Sequence, residues 1–156
     1  MLNIVQFRES IVKSTLNDIL MYSQAAEELL VFTCAVESLG GTYIRQIKGT
    51  ALGIYQMEPE TYTDIWQNYL KAHPNLCMML FTNFNIGFIP SEERLIYDLR
   101  FATVMCRIFY ARIKEPLPNP KDENSIWNYY KRYYNTNMGK SFKEYAITKY
   151  HEFIRD

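Results

Sequence analysis

The sequence predicts a mainly helical protein, a single domain with at most a small β ribbon. Three observations carry that expectation. Apolar residues recur mostly at intervals of three and four, the period of a helix that lays one face on a core. Residues that open and end helices punctuate those stripes, Ser23 before one of them and Gly40 and Gly41 after it. The length of 156 residues is the usual size of one domain, enough to bury roughly two-thirds of the surface that the unfolded chain exposes.

The elements follow in order. Ile11, Val12, Leu16, Ile19 and Leu20 form a first stripe. A second runs through Ala25, Leu29, Phe32 and Val36, with Ser23 as N-cap and Glu27 and Glu28 in the early turns, where the helix dipole favours acids. Between Tyr43 and Gln56, glycines and β-branched residues allow no more than a small ribbon. The spacing of Tyr62, Ile65, Trp66, Tyr69 and Leu70 predicts a helix over residues 60–72 that stops before Pro74. A short apolar segment, "NLCMMLFTNF", comes next. The longest helix is expected after Ser91, carrying Leu95, Leu99, Ala102, Cys106, Phe109 and Ile113 up to the prolines at 116, 118 and 120. That proline stretch is too short to separate two domains. A further helix is expected over residues 123–134, and a last one opened by Ser141 with Glu144 three residues on, a capping box.

Composition narrows the function. Lys plus Arg balances Asp plus Glu at 17 each, and the sequence pI is near 6.7, so no global field draws the chain to nucleic acid or to an acidic membrane surface. Cys34, Cys77 and Cys106 lie among apolar neighbours, where a reduced thiol behaves as a small hydrophobe, and His73 and His151 stand apart. No metal site or cofactor is expected from these residues. The start, "MLNIVQFRES", lacks a basic region followed by an apolar run, and no uninterrupted apolar span approaches about 20 residues. Neither a signal peptide nor membrane anchoring is expected.

One stretch concentrates the chemistry: "AVESLGGTYIRQIKGTALGIYQMEPETY", residues 35–62. Glu37 falls on the last turn of its helix. There the negative end of the helix dipole and the apolar neighbours both disfavour a carboxylate, so its pKa is expected to be raised. A carboxyl kept protonated near neutral pH suits glycoside cleavage, which must hand a proton to the leaving sugar oxygen.

The order and spacing of "ES" at Glu37 and Ser38 and of "GIYQMEPET" at Gly53 to Thr61 resemble the signature of the soluble lytic transglycosylases. In that signature Glu-Ser is followed by Gly-Leu-Met-Gln, an apolar residue and Met-Pro-x-Thr. A later family motif, Ala-Tyr-Asn-Ala-Gly, is matched more loosely by "YYNTNMG" at Tyr133 to Gly139. Glu58 stands where the family has methionine, "GTALG" replaces a serine-alanine lead-in, and the last motif has two extra residues before its glycine. The resemblance covers residues 25–70 well and the rest loosely, as in a divergent branch.

This resemblance implies a lysozyme-like fold and cleavage of the β-1,4 bond between N-acetylmuramic acid and N-acetylglucosamine in peptidoglycan. It makes Glu37 the general acid and base, Ser38 a hydrogen-bonding stabiliser of the intermediate, and Gln56 a groove residue. Tyr134 becomes the hydroxyl that holds the Glu37 carboxyl, with Asn135 beside it as a substrate-binding residue. Gly49 and Gly53 would let backbone approach a sugar. Tyr43 and Tyr55 would stack on pyranose rings or bond their hydroxyls, whereas Tyr62 is expected in the core.

Phage-type lysozymes of this size place an aspartate nine residues after the glutamate and a threonine six beyond it, where this chain has Gln46 and Leu52. Transglycosylation to a 1,6-anhydro product is therefore the leading expectation. Hydrolysis would need a second carboxylate, with Glu58 the candidate that directly follows the groove segment. The implied partners are peptidoglycan glycan strands, in the setting of a bacteriophage: a lysin released through a holin pore, passing from host cytoplasm to the wall, or a virion component. A non-catalytic glycan-binding or virion structural module on the same fold is the alternative of another class. A serine hydrolase is disfavoured because Ser38 is not within a Gly-x-Ser-x-Gly turn.

Overall fold

The computed structural model describes residues 1–136 and 142–155. The chain is mainly helical, around one contiguous core. The first helical run, α1, covers residues 4–18: a turn at Ile4–Gln6, a wider π-type stretch at Phe7–Lys13, and Ser14–Asp18. Leu20 does not continue its stripe. It takes φ +56° and is exposed, so the left-handed residue there ends the helix instead of packing under it.

Helix α2, Gln24–Ser38, is the centre of the molecule. The Ser23 hydroxyl accepts from the Ala26 N–H at 3.0 Å, the N-cap its sequence announces. Leu29 through Phe32 have no solvent exposure, and Cys34 and Ala35 have none either. A helix apolar on all sides must be surrounded. It is: α1, α6 (Leu99–Ala111), α7 (Glu123–Tyr133) and α8 (Phe142–Arg155) all contact it. The remaining helical pieces are α3 over residues 59–72, α4 at Pro74–Asn83 and α5 at Arg94–Tyr97. The segment "NLCMMLFTNF" thus folds mostly as α4, opened by Pro74 at its first position.

The long helix expected after Ser91 is two pieces, α5 and α6, and α2 exceeds both. The break is Asp98, which leaves helical geometry and caps α6 by accepting from the Phe101 N–H at 2.9 Å, while Arg94 pairs with it at 3.0 Å. An acceptor with a short side chain satisfies the free N–H groups of a new helix, and here that local gain divides an otherwise periodic run. The ribbon reduces to isolated antiparallel bridges, Arg45 with Leu52 and Leu52 with Met57. Ser141, the expected cap of the last helix, lies outside the described residues, as does Gly139. Among the described residues no helix is long and apolar enough to cross a membrane.

Candidate functional site

Helix α2 ends abruptly beside Glu37. Leu39 turns left-handed at φ +52°, and Gly40 and Gly41 follow at φ +62° and +80°. The Ser38 hydroxyl donates to the Cys34 carbonyl at 3.1 Å and accepts from the Gly41 N–H at 2.9 Å, so it fastens this turn. Ser38 is fully buried and does not line the cleft described next. That is a correction to its expected contact with a reaction intermediate, and its cause is the demand of the unpaired backbone groups at a helix end.

Glu37 opens into a cleft of about 480 Å³. Its lining includes Gln46, Gln56 and Glu58 from the loop after α2, Tyr130 and Asn135 from the end of α7, and Tyr145 from α8. The Tyr130 hydroxyl donates to Glu37 Oε1 at 2.5 Å. Asn135 Nδ2 donates to the same oxygen at 3.3 Å and to the Tyr130 oxygen at 3.1 Å, closing a three-residue network. Burial raises the Glu37 pKa above the ordinary carboxylate value; the bonds from Tyr130 and Asn135 oppose that shift, and the negative charge of Glu58 adds to it. The result is a partly buried carboxyl biased toward its protonated form and held at one oxygen.

The expected tyrosine is displaced by one helical turn. Tyr134 donates to the Tyr55 backbone carbonyl at 2.7 Å, not to Glu37, and its ring packs among Phe109, Tyr110 and Tyr130. It still lines the cleft. Asn135, expected to bind substrate, instead donates to the acid itself.

The loop residues divide as well. Gln56 lines the cleft at φ +47°, with its Nε2 donating to the Gly53 carbonyl at 2.7 Å. Glu58 also lines the cleft, and its Oε2 accepts from the Thr50 hydroxyl at 2.5 Å. Tyr55 is buried, its hydroxyl paired with that of Thr103 at 3.0 Å, and so cannot stack on a sugar. Tyr62 is core, as expected, and donates to the Pro90 carbonyl at 2.7 Å. Tyr43 is exposed and does not line this cleft. Leu95 alone requires a glycine at position 53: at φ +74°, a Cβ there would lie 2.3 Å from the Leu95 carbonyl oxygen. A Cβ on Gly49 would meet the Gln46 side chain at 1.9 Å.

Sequence reasoning missed Tyr130 as the partner of Glu37, and it missed the contribution of α8, Phe142 and Tyr145. A signal existed for Tyr130, since residues four apart on a helix share a face and Tyr134 was already singled out. None existed for Phe142 and Tyr145, which belong to no quoted motif. Among the described residues, no group of three or more His, Cys, Asp or Glu side chains is placed to hold a metal ion. No protein-family model, curated protein or solved structure matches this chain.

Proposed function

We propose that this protein is a divergent lysozyme-like enzyme of the lytic transglycosylase kind, cleaving the β-1,4 bond between N-acetylmuramic acid and N-acetylglucosamine in peptidoglycan strands. The observation that carries the reading is the Glu37 carboxyl in its cleft, kept toward the protonated form by burial and gripped by Tyr130 at 2.5 Å. The three ordered sequence elements containing Glu37, Gln56 and Asn135 support it, because all three side chains meet in that cleft. Glu37 gives its proton to the departing glycosidic oxygen. Tyr130 and Asn135 then stabilise the carboxylate it becomes. The substrate's acetamido group supports the positive anomeric carbon. The muramoyl 6-hydroxyl attacks that carbon and loses its proton to Glu37, which leaves a 1,6-anhydro ring. The biological setting proposed is a bacteriophage lysin or a wall-opening virion component.

A second reading is favoured by one observation: Glu58 lines the same cleft and its charge acts on Glu37. A second carboxylate can activate water or stabilise the cation, and the product would then be hydrolytic.

Two measurements test these readings. Glu37→Gln keeps the shape and loses the transferable proton, so lysis of permeabilised walls should fall below about a hundredth of wild type. Full lysis by that variant removes Glu37 as the acid. Mass spectrometry of the digest should give muropeptides lighter by one water than hydrolytic ones. A purely reducing-end product set, abolished by Glu58→Gln, selects the second reading.

A further inference from the structure

The cleft has an aromatic surface that the motif resemblance does not account for. Two rings of α8, Phe142 and Tyr145, line it together with Glu37, although they lie more than 100 residues away in the chain. The rings are stacked, with centroids 5.7 Å apart and planes 27° from parallel. Phe142 is backed by Trp127, 5.7 Å between centroids, and Lys149 Nζ sits 5.5 Å from the Tyr145 centroid. Phe142 and Lys149 both contact the Tyr145 ring, which keeps 44% of its surface exposed. A large, ordered, half-open ring at the mouth of a polar cleft is a stacking surface rather than core.

The rest of the lining selects what stacks there. It includes Glu37 and Glu58 and, among the described residues, no Lys or Arg, which disfavours a polyanion such as nucleic acid. The amides of Gln46, Gln56 and Asn135 present donors and acceptors without net charge, the chemistry that matches sugar hydroxyl and acetamido groups. A β-linked pyranose offers a face of axial C–H bonds to a ring and a rim of polar groups to the amides.

We propose that Tyr145, backed by Phe142, forms a subsite that stacks one pyranose ring of a β-1,4-linked amino-sugar strand running through the Glu37 cleft. The subsite rests on the glycan-cleavage reading for its ligand class. It differs from that reading in assigning affinity to α8 and chemistry to α2 and α7.

The experiment uses the full chain carrying Glu37→Gln, so that a bound strand is not cut. Calorimetry with the β-1,4 tetramer of N-acetylglucosamine should find binding weakened about tenfold by Tyr145→Ala. Tyr145→Phe, which keeps the ring, should restore it to within about twofold. On the active chain, Tyr145→Ala should raise the half-saturating concentration of soluble peptidoglycan strands more than it lowers turnover. Because Tyr145 is half-exposed, its melting temperature should stay near that of the parent. Equal affinity in the Ala and Tyr chains, or no binding of the tetramer by either, overturns the subsite. Undiminished cleavage by Glu37→Gln overturns the catalytic reading instead, and the Tyr145 affinity comparison still decides the subsite on its own.

Discussion

Tyr130 and Tyr134 stand one helical turn apart, and their hydroxyls have different tasks. Tyr130 donates to Glu37, which favours the ionised carboxylate against the burial that disfavours it. Removing that hydroxyl should therefore raise the Glu37 pKa further. Loss of the protonated acid limits the reaction on the alkaline side, so Tyr130→Phe should move the alkaline limb of the pH–rate profile upward while lowering the maximal rate. Tyr134→Phe leaves the Glu37 oxygens untouched and strips the Tyr55 carbonyl of its donor. It should leave the pH profile in place and cost about 1–2 kcal/mol in a denaturant titration. A profile shifted by the Tyr134 variant and not by the Tyr130 variant would reverse the two assignments. The motif locates Glu37, Gln56 and Asn135 because each sits in its own short sequence element and the elements keep their order along the chain. It misassigns the tyrosine because that choice depends on how α7 rotates against α2, which packing of Phe32 and Phe109 against these rings decides.

Some element ends set by local chemistry were legible in the sequence, and others, though equally local, were hidden by unbroken apolar spacing. Ser23 caps α2 from three residues away, and Pro59 opens α3 one residue before its expected start; α4, opened by Pro74, is legible only as a short apolar segment. The break at Asp98, by contrast, interrupts a run whose apolar spacing is unbroken, so periodicity alone reads through it. The wall between α2 and α3 depends on a distant neighbour. Gly53 takes φ +74° with the Leu95 carbonyl pressed against the space where a Cβ would be. Both the left-handed backbone and the 2.3 Å approach to a backbone atom oppose any side chain. Gly53→Ala should cost about 2 kcal/mol or more by chemical denaturation. It should also impair wall lysis, because the Gly53 carbonyl holds Gln56 in the cleft wall. Wild-type stability in that variant would mean that the loop is not pinned against α5.

At the scale of the whole molecule, the acid on α2 and the aromatic rings on α8 face one cleft because the two helices are locked together elsewhere. A charged cluster performs part of that locking. Arg8 on α1 donates from Nη1 to Glu27 at 2.9 Å and to Glu28 at 3.0 Å, and from Nη2 to Glu28 at 2.7 Å. Tyr22 donates to Glu27 at 2.8 Å, and Tyr150 of α8 donates to Glu28. One guanidinium thus joins the first helix to the central one, while Glu28 ties in the last. The side chains are largely buried, at 22% exposure for Arg8 and 6% and 13% for the glutamates. Removing the cation leaves two carboxylates with little water to replace it, and such a loss costs far more than the pairing itself contributes. Arg8→Met, which keeps the apolar stem, should therefore destabilise the fold by about 3 kcal/mol in urea. Adding Glu28→Gln should recover part of that loss, since it deletes one of the stranded charges while leaving Tyr150 an acceptor. Glu37 receives its hydrogen bonds from Tyr130 of α7 and from Asn135, two residues past its end, so the pH–rate profile should be unchanged in both variants. A loss of less than about 1 kcal/mol for Arg8→Met would place the cluster among ordinary surface ion pairs and leave apolar packing alone to hold α2 against α8.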